Sequence, residues 1–118
     1  MRINLKPMKT IYTLLYILSI TCCSFGQGVK LAKADKKYEK YAYIDAIEIY
    51  EKVAEKGYKS VDLFQKLGNA YYFNGNLDKA AKSYDALFAL NEEVAPEYYF
   101  RYAQTLKAIG NYEKSNQY

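Results

Sequence analysis

Histidine and tryptophan are absent from this sequence, its two cysteines are the neighbours Cys22 and Cys23, and its methionines are Met1 and Met8. After residue 26 there is no Cys, His, Trp or Met at all. That removes thiol nucleophiles, disulfides, imidazole bases and the usual zinc ligand sets from most of the chain. No cofactor or metal is expected. A long hydrophobic run is missing too. Ile11 to Ile20 is mostly apolar, but a bilayer span needs roughly 20 such residues, so no direct membrane crossing is expected.

The run instead fits the middle of a secretory leader. Lys6 and Lys9 precede it, and Ser24 and Gly26 supply small residues where a signal peptidase reads the chain. Cleavage after Gly26 is expected, leaving Gln27 as the new N-terminus, with Met8 as an alternative start. Cys22 and Cys23 lack the flanking residues of a lipid-attachment site, so both are read as leaving with the leader. The 17 basic and 13 acidic residues give a net charge of +4. Arg2, Lys6 and Lys9 lie in the leader and no acidic residue does, so the remainder is close to neutral. The basic balance is therefore no argument for a nucleic-acid partner.

What the chain does contain is repetition. Displaced by 34 residues, Ala46 falls on Ala80, Tyr50 on Tyr84, Ala34 on Gly68 and Tyr38 on Tyr72. Displaced by 35, Gly75-Asn76 falls on Gly110-Asn111, Leu67 on Tyr102, Gly68 on Ala103 and Tyr71 on Leu106. Within each copy the apolar residues follow helical spacing: Leu63, Phe64, Leu67, Ala70 and Tyr71, then Leu77, Ala80, Ala81, Tyr84, Leu87 and Phe88. Ser60 and Asn76 stand where helix N-caps belong. Gly57 and Gly75 stand where helices stop and turn. Pro96 suits a first helical turn, where its missing N–H is no loss. The expectation is an all-α fold of antiparallel hairpins, 30–40 with 43–56, 61–74 with 77–90 and 96–109 with 112–118. Gly68 and Ala80 are small where the helices of a pair come closest, and Phe64, Tyr71 and Tyr84 fill the wider spaces.

Phe64, Leu67, Gly68, Tyr71, Ala80 and Tyr84 together resemble the tetratricopeptide repeat at its usual spacing. Leu87 and Glu92 depart from that pattern, where the family has alanine and proline. Lys30, Lys33 and Lys37 occupy normally apolar places in the first copy, as suits a solvent-facing end. The resemblance implies a short solenoid of about two and a half repeats, 27–60, 61–94 and an incomplete 95–118, behind a signal peptide at 1–26. It also implies a concave groove lined by the first helix of each repeat. A narrower similarity, from "SFGQ" through "KADKKYEKYAYIDAIEIYEKVAEKGY", is to the start of Bacteroidetes-type envelope proteins. In those, such repeats precede a β-propeller-like segment and an OmpA-type domain. This implies an exported, periplasmic or outer-membrane-associated chain, with peptidoglycan or outer-membrane contact made through downstream domains.

Sequence motifs for chemistry are weak. Glu48, Glu51 and Glu55 share a helix face with Lys52 and Lys56 nearby, the pattern of a solvated surface with spacing-four ion pairs. Gly75 and Gly110 are lone turn glycines without a phosphate-binding pattern. Ser60, Ser83 and Ser115 have no histidine to activate them. Tyrosine is abundant, with fifteen residues of which Tyr12 and Tyr16 fall in the leader. Tyr50, Tyr71, Tyr84, Tyr102 and Tyr112 are expected in the core.

Tyr38 and Tyr72 correspond in their repeats and lie one residue off the packing stripe. They fall on the inner face of the first helices, which lines the groove in the repeat family that the chain resembles. Asp35, Gln65, Asn69, Phe73, Gln104 and Lys107 are expected on it too, a groove for an extended peptide or helix of a protein partner. Of the residues by which some relatives grip a C-terminal carboxylate, only Asn69 is matched, so no such clamp is expected.

The sequence thus predicts a non-enzymatic protein-interaction scaffold of the cell envelope. Two alternatives stand beside it: the helical adaptor region of an exported enzyme or sensor, and a carbohydrate-binding module stacking sugars on Tyr38 and Tyr72. The last repeat stops within its second helix. The chain is therefore expected to be a fragment of a longer protein. The face of Tyr99, Tyr102 and Leu106 is expected to lack cover, and the segment from about residue 96 to fray or dimerise.

Overall fold

The structure, a computed structural model, describes the backbone of residues 6–118 and the side chains of residues 9–16 and 26–118. Met1 to Leu5 and the side chains of Cys22, Cys23 and Ser24 lie outside the described residues, and with them much of the expected leader. Six helices follow one another: α1 (Lys6–Glu39), α2 (Tyr43–Glu55), α3 (Val61–Phe73), α4 (Leu77–Ala89), α5 (Pro96–Ala108) and α6 (Tyr112–Ser115). Each packs against the next, and α1 also touches α3. Among the described residues, no helix is long and apolar enough to cross a membrane.

Local chemistry sets the helix ends. Ser60 Oγ accepts from the Leu63 amide at 3.0 Å, Asn76 Oδ1 from Lys79 at 3.3 Å and Asn111 Oδ1 from Lys114 at 3.2 Å. Pro96 is in the first turn of α5. Gly75 ends α3 with φ +80°, and the amide of Asn76 returns to the Tyr71 carbonyl at 2.9 Å, the 6→1 closure of a helix ending in the left-handed region. Helices α2, α3, α4 and α5 each have 13 residues, so the repeat of the sequence is a repeat of equal struts.

Close packing follows the small residues. A Cβ built on Gly68 would lie 2.5 Å from Tyr84 Cε1, so the Tyr84 ring occupies the space that glycine leaves open. Ala46, Tyr50, Val53, Ala80, Tyr84 and Leu87 are wholly enclosed in one continuous core with Leu63, Leu67 and Tyr71.

Three features differ from the sequence-based expectations. First, α1 does not begin near residue 30. It runs unbroken through the apolar segment and the expected cleavage point, since Gly26 and Gly28 weaken a helix without breaking it. Its Ile11, Tyr12, Leu14, Leu15 and Tyr16 are all more than half exposed. Second, Tyr112 is exposed rather than in the core.

Third, the outer face of α5 is covered. Tyr102 and Leu106 are buried, and the Tyr118 ring lies 4.6 Å from that of Tyr102 and 5.0 Å from that of Phe88. Lys114 adds a 2.5 Å ion pair to Asp85, and Ser115 Oγ donates to the Ala103 carbonyl at 2.8 Å. Only Tyr99 keeps substantial exposure there, at 39%.

Candidate functional site

The odd-numbered helices come together at Asn69, on the middle of α3 and only 5% exposed. Its Nδ2 donates to Tyr38 Oη of α1 at 3.2 Å and reaches Tyr98 Oη of α5 at 3.4 Å. Its Oδ1 accepts from Tyr84 Oη of α4 at 2.8 Å and from Arg101 Nη1 of α5 at 2.7 Å. Two donors and two acceptor positions are all an amide has, and all are used. Asn69 is therefore the floor of the groove rather than a free hand for a ligand.

Asp35, one repeat earlier, is similarly engaged. It accepts from Tyr50 Oη at 2.5 Å and pairs with Lys66 at 3.1 Å. In both repeats a core tyrosine of the second helix reaches, fifteen residues back, the polar groove residue of the first. Burial pushes the phenols of Tyr50 and Tyr84 well above their usual range. The Asp35 carboxylate adds to the effect at Tyr50, while the Arg101 charge opposes it at Tyr84. Burial also raises Tyr38, against the hydrogen bond from Asn69. At Lys66 desolvation is outweighed by Asp62 and Asp35, and the ammonium is held above its ordinary value.

Above the Asn69 floor lies a cluster of rings around one cation. The Arg101 guanidinium carbon is 5.4 Å from the Phe73 ring centre, 5.7 Å from Tyr98 and 5.8 Å from Tyr72. Such contacts hold a guanidinium flat between rings while leaving N–H groups to spare. The rings continue outward. Phe73 stacks on Tyr43 at 5.4 Å, Tyr38 meets Tyr43 edge-on at 5.6 Å, and Tyr41 meets Tyr43 edge-on at 6.1 Å. Phe73 is 49% exposed and Tyr41 78%.

Of the sequence-derived groove residues, Tyr38, Asn69, Tyr72 and Phe73 are thus brought together, and Asp35 sits apart with Tyr50 and Lys66. Gln65 is half-buried on α3, and Gln104 and Lys107 are exposed farther along α5. The residues missed were Arg101, Tyr98, Tyr43 and Tyr41. Arg101 had a signal: it is the only arginine beyond residue 2 in a chain otherwise supplied with lysine.

Tyr41 had one too. Displaced by 34 residues it falls on Gly75, and its φ of +61° is the left-handed conformation that Gly75 and Gly110 adopt at +80° and +86°. A bulky residue there costs energy that glycine would not, and such residues concentrate at functional sites.

Among the described residues, no group of three or more His, Cys, Asp or Glu side chains is placed to hold a metal ion.

No family model matches the sequence, and no curated protein does. Solved structures do. The C-terminal part of a TPR repeat-containing protein from Cytophaga hutchinsonii superposes with a TM-score of 0.66 at 22% identity. The match covers 74% of this chain and 34% of that one, so this chain spans about a third of its length. PcrH, in complex with the chaperone-binding region of PopB, superposes with a TM-score of 0.62 at 22% identity over 77% of this chain and 73% of that chain. The helical-hairpin stack described above therefore has the fold of tetratricopeptide-repeat proteins.

Proposed function

We propose that this protein is a non-enzymatic interaction scaffold that holds a segment of a protein partner against the face formed by α1, α3 and α5. The observation that carries this reading is the aromatic row ending at Tyr41. The chain keeps an exposed ring in a strained backbone position where its own other hairpins place glycine. Rigid aromatic anchors beside an arginine are the residue types that dominate binding energy at protein interfaces. PcrH, of similar fold, was solved with the chaperone-binding region of PopB, which supports a polypeptide as ligand here.

The signal-like N-terminus supports an exported chain. We place the scaffold in the cell envelope as the N-terminal module of a larger OmpA-type protein, with any peptidoglycan or outer-membrane contact left to downstream domains. Mass spectrometry of the mature protein tests the export reading, which predicts Gln27 as the first residue. Recovery of the intact N-terminus would overturn it.

A photo-crosslinking residue at Phe73, compared with one at Glu113 on α6, tests the groove. Irradiation of cells producing the protein should give discrete protein adducts from position 73 and not from 113. Equal adducts at both positions, or none at 73, would remove the assignment.

A further inference from the structure

Away from the Asn69 floor, α2 and α4 each pack against α3. Ile44, Ile47, Glu48 and Glu51 form one stripe of α2, and Lys79, Lys82, Ser83 and Ala86 form the matching stripe of α4, both at spacings of three and four. Two hollows adjoin these stripes, one of about 290 Å³ against α4 and one of about 300 Å³ between α2 and α4. The first is floored by Phe64, Leu67 and Tyr71 of α3, and the second lies toward the α3–α4 turn at Asn74 and Asn76. Glu51, which accepts the Tyr71 hydroxyl, meets Lys79 at 3.7 Å and divides one hollow from the other.

The charges on the two lips are not alike. The hollow at Ile44 and Ile47 is edged by Glu48, exposed on α2 beside its neighbour Lys52 at 3.0 Å. The hollow at Ala86 is edged by exposed Lys82 of α4. An occupant that complements both is therefore basic over the hollow at Ile44 and acidic over the hollow at Ala86. Walls of 13 residues are about 20 Å long, the length of a short helix. A helix is most stable with acidic residues at its N-terminus and basic residues at its C-terminus. That places its N-terminus over Lys82 and its C-terminus over Glu48, parallel to α3.

We propose that this cleft is a second binding site, which docks an amphipathic helix of a protein partner. The helix sets one apolar side chain in each hollow, with acidic residues beside the first and basic residues beside the second. The guest fills the hollow over Phe64, Leu67 and Tyr71, which α4 walls on one side.

Two fluorescein-labelled 15-residue peptides of equal composition test this by anisotropy against the full chain. Both carry leucines seven apart, one with glutamates around the first leucine and lysines around the second, the other reversed. The acidic-first peptide should bind about tenfold more tightly. The Glu48→Lys/Lys82→Glu double variant, altered only at exposed positions, should reverse the order. Ala86→Arg should abolish binding with helix content unchanged. Equal affinities, no binding of either peptide, or an order untouched by the charge exchange would overturn the proposal. A chain that sediments as a dimer, and as a monomer after Ala86→Arg, would give the cleft to a second copy and overturn it too.

Discussion

Tyr41 occupies in the first hairpin the place that Gly75 holds in the second, with the same left-handed backbone and with 78% of its surface exposed. The left-handed conformation costs a residue bearing a Cβ about 1–2 kcal/mol, part of which glycine's greater unfolded-state entropy would offset. Tyr41→Gly should therefore raise the unfolding free energy by roughly 0.5–1 kcal/mol. Urea unfolding checks this, and a lower midpoint would mean that the edge-on contact with Tyr43 outweighs the strain.

Gly68 faces the opposite constraint. Its place against the Tyr84 ring leaves no room for a methyl group. Gly68→Ala should cost about 1–3 kcal/mol, as overpacking does, despite alanine's better helix propensity. A variant as stable as the parent would show that the Tyr84 ring moves aside freely.

Removing the Asn69 amide strands the Tyr84 hydroxyl and the Arg101 fork at once. Asn69→Ala should lose about 3 kcal/mol of stability. Tyr72→Ala, at a half-buried position on the same helix, should lose far less while weakening groove binding. Denaturation of the two variants side by side separates floor from wall.

Alkali should unfold the protein through its core phenols. Burial holds Tyr50 and Tyr84 above the usual value of 10.0, and burial together with the Asp85 carboxylate raises Tyr102 to about 12. An acid whose folded-state pKa is raised lends stability that is complete below its unfolded pKa. That stability is lost as pH climbs through the folded value. No loss from these groups is expected up to about pH 10, then a cooperative loss by about pH 12, with tyrosinate absorbance and helix signal changing together. Tyrosinate appearing with its normal midpoint and no unfolding would contradict the burial.

Tyr118 closes the α5 face against Phe88 and Tyr102. Tyr118→Ala should speed amide hydrogen exchange most in α5 and α6, with a smaller effect in α3 and α4. Unaltered exchange in α5 would show that the ring adds no protection.

The fold was legible because repetition and capping are local. Ser60, Asn76, Pro96 and Gly75 each announce a helix end in their own few residues, and the 34- and 35-residue displacements align the ends. The covering of Tyr102 by Tyr118 was not legible, since it depends on how a short tail folds back rather than on helical spacing. In the groove, periodicity placed Tyr38, Asn69, Tyr72 and Phe73 on one face. It did not reveal that Tyr50 and Tyr84 come through from the core to take the polar partners. Arg101 escaped because its position follows from packing against the preceding repeat, which no pattern within its own helix records.

The four bonds of Asn69 have a mechanical consequence. A stack of repeats ordinarily behaves as beads on a string, each sensing only its neighbours, so that either end can melt alone. Here one amide is gripped at once by Tyr38 of the first repeat and by Tyr98 and Arg101 of the third. Melting the first repeat therefore loosens a fastening that the third also uses, and the reverse holds as well. The middle helix acts as a keystone, so heat or force applied at one end is felt at the other.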